Sequence, residues 1–336
     1  MIRVAMVSFW HVHARDYARQ ASEHPDTQIV AAWDESPQRG RTAAETLGVR
    51  FYADLAEMLA QPDIDAVIVD TPTTSHHAVM IAAAQAGKHI FTEKVLAPTL
   101  HEGNEILAAV EQAGIKLTVS LPRLNDGYTQ AIKERIDQGQ LGTLTLVRAR
   151  LSHNGALKTA EKPGGWLPPH FFDLEQCAGG ALIDLGSHPM YLTRLFLGLP
   201  ESISATYGYV TGRAVEDNAV ALLSYPHGAV GVVEAGFVNP FSPFTIEVHG
   251  TEGSLLYGTP DAQLLLRSTQ DGGKEWRQVE VPPGGPSAFQ QWVTHIQQGT
   301  IASANIQMAL DLTKLMEAAN LAARGSQAVR LDALRV

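Results

Sequence analysis

The feature that most narrows the fold is an alternation that runs to about residue 120, in which short apolar runs and helical periodicities take turns. Arg3–Phe9, Gln28–Trp33, Ala66–Val69, His89–Thr92 and Lys116–Val119 are short and apolar enough to read as buried parallel strands. Between them lie helices. Ala14, Tyr17, Ala18 and Ala21 share one face, and Ala43, Ala44 and Leu47 another, ahead of Gly48. Asp54 with Glu57 and Thr99 with Glu102 have the spacing of capping boxes. Gly87 and Gly114 fall just past helix ends, where a left-handed residue is wanted. Right-handed crossovers turn such a series into a doubly wound parallel sheet with helices on both faces. Ligands of that architecture bind beyond the carboxyl ends of the strands. Those ends are Ser8–His13, Asp34, Thr71–Thr74, Glu93–Lys94 and Ser120–Arg123, which define one candidate crevice.

From Thr143 the texture changes to alternating strands: 143–153, 202–212, 217–225, 229–238, 244–250, 254–258 and 262–269. Pro226-His227-Gly228 and Asp271-Gly272-Gly273 are hairpin signals. The expected fold class is therefore α/β: an N-terminal Rossmann-like sheet, then an α+β domain with a large, mostly antiparallel open sheet. At 336 residues both domains have room for a core. The expected division is 1–121 and 122–336, with the amphipathic helix 304–323 packing back on the first domain. Residues 154–178 read as a loop whose Trp166, His170 and Phe171 suit a lid over a polar ligand.

The chemistry concentrates in the stretch from Gly179 to Tyr191. If it is helical, Asp184 and His188 are four residues apart on one face, and a carboxylate beside an imidazole suits general acid–base work. Pro189 requires that the helix kink there or begin only just before it. The plain alternative is a core helix, given the stripe of Leu185, Leu192, Leu195 and Phe196. Asp34, at the end of the second strand, has the place of an acceptor for an adenosine ribose and would repel a 2′-phosphate, which favours NAD over NADP. The first turn departs from the dinucleotide fingerprint G-x-G-x-x-G. Ser8, Trp10 and His13 stand where glycines let the backbone approach a pyrophosphate. No histidine pair has the spacing of a recognised zinc site; His11 and His13 could flank a metal but are read as lining the pyrophosphate turn, so no metal is expected. A net charge of −10 disfavours nucleic acid and anionic membrane as partners. One cysteine, Cys177, no signal peptide and no 20-residue apolar span describe a cytoplasmic-type protein.

With these residues in place the chain resembles the glucose–fructose oxidoreductase / inositol dehydrogenase (Gfo/Idh/MocA) family over essentially its whole length. Thr71-Pro72 followed by His76 is similar to that family's T-P-x-x-x-H turn. Ala86–His89 leading into Thr92–Ala97 resembles its A-G-K-H-V…E-K-P-L-A segment, and Gly179–His188 its G-G-x-L-x-D-x-G-x-H segment. Residues 247–254 resemble its strand followed by G-T-E-G. The resemblance implies a nicotinamide-dependent oxidoreductase acting on a secondary alcohol or ketone of a sugar, polyol or cyclitol. It implies Lys94 as catalytic lysine, with Asp184 and His188 as acid–base partners. The cofactor, NAD in preference to NADP, is expected at Ser8, Trp10, His11, Val12, Asp34, Thr71, Pro72, Thr74, His76, Glu93, Lys94 and Arg123. The substrate is expected at Lys94, Trp166, His170, Phe171, Asp184, His188 and Tyr191. A homodimer or homotetramer through the open sheet face is implied as well. Val95 departs from the family's proline, as the first turn does from its glycines. Two other readings stand beside this one: a non-catalytic nucleotide-binding regulator, and a metal-dependent lyase or isomerase built on Asp184, His188 and His170.

Overall fold

The computed structural model describes residues 1–258 and 261–335. They form two compact units, one of residues 1–122 and 286–313 and the other of 123–285 and 314–335. The second unit is thus not continuous from residue 122 onward, as the sequence division had it. The chain leaves it at Pro286 and re-enters it at Lys314.

In the first unit β1 (Ile2–Val7), α1 (Ala14–Glu23), β2 (Thr27–Trp33), α2 (Pro37–Leu47), β3 (Arg50–Phe51), α3 (Leu55–Leu59), β4 (Ala66–Val69), α4 (His76–Gln85), β5 (His89–Thr92), α5 (Leu100–Ala113) and β6 (Leu117–Val119) follow in order. The strands are all parallel and lie in the order β3-β2-β1-β4-β5-β6. The order reverses beside β1, which is where a doubly wound sheet opens a ligand crevice. β3 is a two-residue strand that sequence periodicity missed, being too short to carry a period. Thr99 and Glu102 form the expected reciprocal capping box, and Asp54 accepts the Glu57 N–H at 2.7 Å. The core on one side of the sheet is aromatic. Phe91 meets Tyr17, Phe289 and Trp292 at centroid separations of 5.2, 5.5 and 5.7 Å, within the range of favourable ring pairs.

The second unit holds α6 (Gly127–Asp137), β7 (Leu144–Ser152), α7 (Leu174–Cys177), α8 (Ala181–Asp184), α9 (Ser187–Leu197), β8 (Ser202–Gly208), β9 (Asn218–Ser224), β10 (Val230–Gly236), β11 (Thr245–Gly250), β12 (Gly253–Gly258), β13 (Gln263–Ser268), β14 (Arg277–Val279) and β15 (Val329–Arg330). Its nine-stranded sheet runs β14-β13-β12-β11-β7-β10-β9-β8-β15, antiparallel except for the pair β7 and β10. Strict alternation in β9 (Asn218 out, Ala219 in, Val220 out) leaves one face exposed, while α9 covers the inner face along β7 and β10. The helices α10 (Ala288–Gln298) and α11 (Ser303–Gly325) complete the chain's helical set; α10 and the start of α11 belong to the first unit. No helix among the described residues is long and apolar enough to cross a membrane.

Candidate functional site

In the first unit β1 hands over to α1 through Ser8, whose φ of +77° is the left-handed conformation for which glycine is normally chosen. The tight turn is thus kept with a serine. Its hydroxyl is buried and accepts the Trp10 N–H at 3.1 Å. The Trp10 indole is itself buried, leaving Val12 exposed on the turn. The His11 N–H donates to the Asp70 carbonyl, tying the turn to the end of β4. Two of the three lost glycines are therefore replaced by side chains turned inward. The left-handed turn that a pyrophosphate-binding loop needs is thereby kept.

Asp34 corrects an expectation. Its carboxylate has about four lone-pair positions, and four hydrogen bonds fill them. The Phe9 N–H and Arg39 Nε reach Oδ2, both at 2.8 Å; the Ser36 N–H at 2.6 Å and Arg39 Nη2 at 2.8 Å reach Oδ1. Arg39 also pairs with Glu35. Asp34 is a buried acid gripped by a bidentate guanidinium, not a free ribose acceptor.

At the end of β5 the buried Glu93 gathers partners from the β1–α1 turn and from α1. The Tyr17 hydroxyl hydrogen-bonds its Oε2, the His13 Nδ1 lies at 3.2 Å and the His11 Nδ1 at 3.9 Å. Ser120 Oγ is 2.7 Å from the same tyrosine oxygen. Burial by itself would raise the Glu93 carboxyl, but the facing imidazoles, with Lys94, hold it well below its ordinary range. Asp70 goes the other way: burial, reinforced by the charge of Glu93, drives its carboxyl well above the usual value. Neither Asp70 oxygen nor the Thr71 hydroxyl has a hydrogen-bond partner among the described residues. Such buried orphans at a ligand edge are groups that a bound molecule would satisfy.

The remaining first-unit residues separate into two kinds. Pro72 is buried and Thr74 exposed on the loop after β4. His76 is fully enclosed, with Nδ1 at 2.9 Å from the Val95 carbonyl and Nε2 at 3.2 Å from that of Thr71. It ties two loops together and presents no nitrogen to a cofactor, contrary to expectation. Lys94 is only 4% exposed, and the peptide bond to Val95 is cis.

In the second unit, Glu216 organises the glycine-rich segment. Its carboxylate accepts the N–H groups of Gly180 (2.9 Å) and Leu182 (3.0 Å), capping α8. A Cβ on Gly180 would come within 2.0 Å of the Glu216 carbonyl oxygen, so only glycine fits there. Asp184 closes α8, and a break at Leu185 and Gly186 precedes α9. Asp184 and His188 therefore do not share one helix. Pro189 is accommodated because α9 begins just before it, at Ser187, whose hydroxyl donates to the Asp184 carbonyl at 2.7 Å.

His188 is buried, and its Nδ1 lies 3.0 Å from the Tyr191 hydroxyl. That oxygen also accepts the Arg123 N–H at 3.1 Å. Tyr191, expected as a sugar platform, is fully buried and positions the imidazole instead. The Arg123 guanidinium lies 3.1 Å from the Tyr128 hydroxyl and 4.2 Å from the Phe244 ring. Its contacts are with the second unit rather than with the cofactor edge where sequence order put it. Asp184 acts on a residue that sequence reasoning missed, His153: burial lowers that imidazole's pKa and the aspartate's charge opposes the shift. The His153 ring stacks on Phe237 (5.1 Å) and faces Trp166 (4.5 Å). Trp166 is exposed, with its indole N–H donated to Asn154 at 3.1 Å. His170 is half-buried and Phe171 buried, so Phe171 offers packing rather than a face for a ligand. Burial pushes the Cys177 thiol up to about 12, which removes it as a nucleophile.

Ser120 lay on the expected crevice and Tyr17 on the expected helix face, but the site roles of Tyr17, Arg39, His153 and Glu216 escaped the sequence reading because their partners are distant in sequence or, for Arg39, because a helix-surface arginine is unremarkable by pattern.

Comparison with known proteins agrees with this architecture. Residues 2–121 match the model of an oxidoreductase family with an NAD-binding Rossmann fold, and residues 129–256 that of the GFO/IDH/MocA C-terminal domain. Scyllo-inositol 2-dehydrogenase (NAD(+)) of Bacillus subtilis is 31% identical, covering 70% of this chain and 67% of that protein. The 1,5-anhydro-D-fructose reductase of Ensifer adhaerens is 28% identical over 72% of each. An inositol dehydrogenase homologue from Azotobacter vinelandii, solved with NAD+, superposes with a TM-score of 0.82 at 24% identity, covering 98% of this chain and 97% of that one, a likeness of fold. The chain belongs to the GFO/IDH/MocA family of oxidoreductases.

Proposed function

We propose that the protein transfers a hydride between a nicotinamide dinucleotide and a secondary alcohol or ketone of a sugar, polyol or cyclitol. The observation that carries this is the buried Lys94 at the carboxyl end of β5, a cation held out of water on the ligand edge of a sheet with the dinucleotide-binding strand order. When bound, the nicotinamide supplies the redox chemistry. Lys94 Nζ donates to the substrate oxygen and stabilises the negative charge that builds as the carbonyl–alkoxide pair interconverts. The His188 Nε2 takes the hydroxyl proton, since an alcohol releases hydride only as that proton leaves. For this, Nδ1 must carry a hydrogen, and the Tyr191 oxygen 3.0 Å away accepts it. Asp184 contributes negative charge that favours a protonated imidazole nearby, acting on His153 as well. Trp166, the exposed aromatic of the 154–178 segment, offers a face to an apolar sugar edge.

NAD remains the preferred cofactor in this reading, on revised grounds. Asp34 has no lone pair to spare, but Asp34, Glu35 and Arg39 together carry a net charge of about −1, which opposes a 2′-phosphate. The test is a panel of sugars and cyclitols with NAD and NADP, followed by the absorbance of the reduced nicotinamide. No turnover across the panel with either cofactor, under conditions where the cofactor binds, would overturn the assignment.

The exposed sheet face presents Val220, Leu222 and Val230 beside the Arg148–Glu234 ion pair. Such a face suits a second copy of the chain, and the reading includes a homo-oligomer assembled through it in the cytoplasm. Light scattering that finds a monomer at micromolar concentration would count against the assembly.

A further inference from the structure

The turn that lost its glycines gained two imidazoles, and both face Glu93. We propose that His11, His13 and Glu93 form a binding site for a first-row divalent transition metal, for which zinc is the natural probe. The donor atoms of the three residues lie within 4.8 Å of one another. Around a tetrahedral zinc with bonds of about 2.0–2.2 Å, neighbouring donors are roughly 3.4 Å apart. The Nδ1 atoms of His13 and His11 lie 3.2 and 3.9 Å from the Glu93 Oε2, bracketing that edge length. Two of the three edges lie within about 0.5 Å of that length, and the third falls within the 4.8 Å span.

The surroundings are those of a ligand set. The His11 Nδ1 accepts the His13 N–H at 3.2 Å, so that nitrogen is unprotonated, and an ion bound there would take over the lone pair from this hydrogen bond. The Tyr17 hydroxyl, backed by Ser120, donates to the same Glu93 Oε2 that the imidazoles face, and hydrogen bonding to a ligand carboxylate is what fixes such ligands for a metal. Asp70, fully buried with both oxygens unpartnered among the described residues, adds a further acid within electrostatic reach of Glu93 and Tyr17. His13 is 44% exposed at its side chain while Glu93 and His11 are enclosed, so an ion can enter past His13 and keep a coordination position open there. Two imidazoles and one carboxylate select zinc, cobalt, nickel or iron over magnesium and calcium, which favour all-oxygen sets. This inference does not rest on the hydride-transfer reading, and either can fail alone.

The test is calorimetric titration of chelator-stripped full-length protein with zinc chloride, repeated with magnesium chloride, alongside visible absorption with cobalt chloride. The expected result is one zinc per chain, no magnesium heat, and cobalt bands of a low-coordinate site. His13→Ala removes a half-exposed side chain and should leave the fold intact; it should weaken zinc by at least tenfold and abolish the cobalt bands. Glu93→Gln should do the same, and Tyr17→Phe should cost about tenfold through the loss of the orienting hydroxyl. The surface trio His77, His101 and Glu105 is the internal control, since His77 and Glu105 already pair at 2.7 Å. Absence of zinc binding, or zinc binding that survives in His13→Ala and disappears in His77→Ala, would overturn the proposal.

Discussion

Arg39→Ala gives the most direct readout of how the ribose end of the crevice is charged. Arg39 holds Asp34 through two bonds of 2.8 Å and reaches Glu35 with the same guanidinium. Removing it takes the local charge from about −1 to about −2 and returns two lone pairs to Asp34. A 2′-phosphate placed beside the strand-2 acid would lie about 5 Å from the guanidinium, where a unit charge pair is worth about 0.8 kcal/mol in water and about 3 kcal/mol at an effective dielectric of 20. Arg39 is about one-third exposed at its side chain, so screening favours the lower part of that range, about 1–2 kcal/mol. The variant should therefore shift the NADH-over-NADPH preference roughly 5–30-fold further toward NADH. Fluorescence titration with both reduced cofactors measures the ratio, and thermal melts of Arg39→Ala and Arg39→Gln check that a buried Asp34 has not unfolded the turn. An unchanged ratio in a folded variant, or a shift toward NADPH, would refute the electrostatic reasoning.

Three further outcomes follow from the geometry. Lys94→Ala should lower kcat by about 10²-fold or more with a much smaller change in KM, and His188→Ala by about 10²–10⁴-fold, in steady-state assays on a verified substrate; near-normal turnover in a folded variant would remove that residue from the chemistry. Trp292→Ala empties a fully buried aromatic site beside Phe91 and should cost about 3–5 kcal/mol in urea unfolding. Burial lowers the His89 pKa, with Lys116 adding to the downward shift, and its Nδ1 accepts the Lys116 N–H at 3.0 Å. Its folded pKa lies below the unfolded value of about 6.5, so its contribution is full above that pH and is lost as pH falls through the folded pKa. Melting temperatures between pH 7.5 and 5 should decline, and less steeply in His89→Gln; parallel curves would contradict this.

The first unit was legible in sequence because each of its signals is local. Capping pairs such as Thr99 with Glu102, glycines just past helix ends, and apolar runs of four to seven residues need no knowledge of tertiary neighbours. What stayed hidden depends on pairs far apart in the chain. Glu93 meets His13 across 80 residues and Glu216 caps Gly180 across 36, and no pattern of spacing announces either. Asp34 shows a subtler limit. Its position at the end of β2 was read well, but its lone pairs are occupied by a side chain five residues along, and helical periodicity treats that arginine as ordinary surface. The Asp184–His188 spacing was read with a helix that kinks or begins just before Pro189, and α9 does begin there, at Ser187, after two residues of right-handed helical backbone at Leu185 and Gly186.

The aromatic layer beneath the first sheet has a consequence for how the chain comes to be folded. Phe289 and Trp292 fill that layer, yet they lie some 170 residues beyond the last strand of the sheet they cover. During synthesis at about 5–20 residues per second, the finished sheet waits roughly 10–30 s with Phe91 lacking two of its aromatic neighbours. In that interval the nascent chain carries a greasy, half-dressed β-layer, the kind of surface on which chaperones act. Tyr17 packs on the same phenylalanine and holds Glu93 by its hydroxyl, so the layer that backs the crevice at β5 is completed only once α10 has been made.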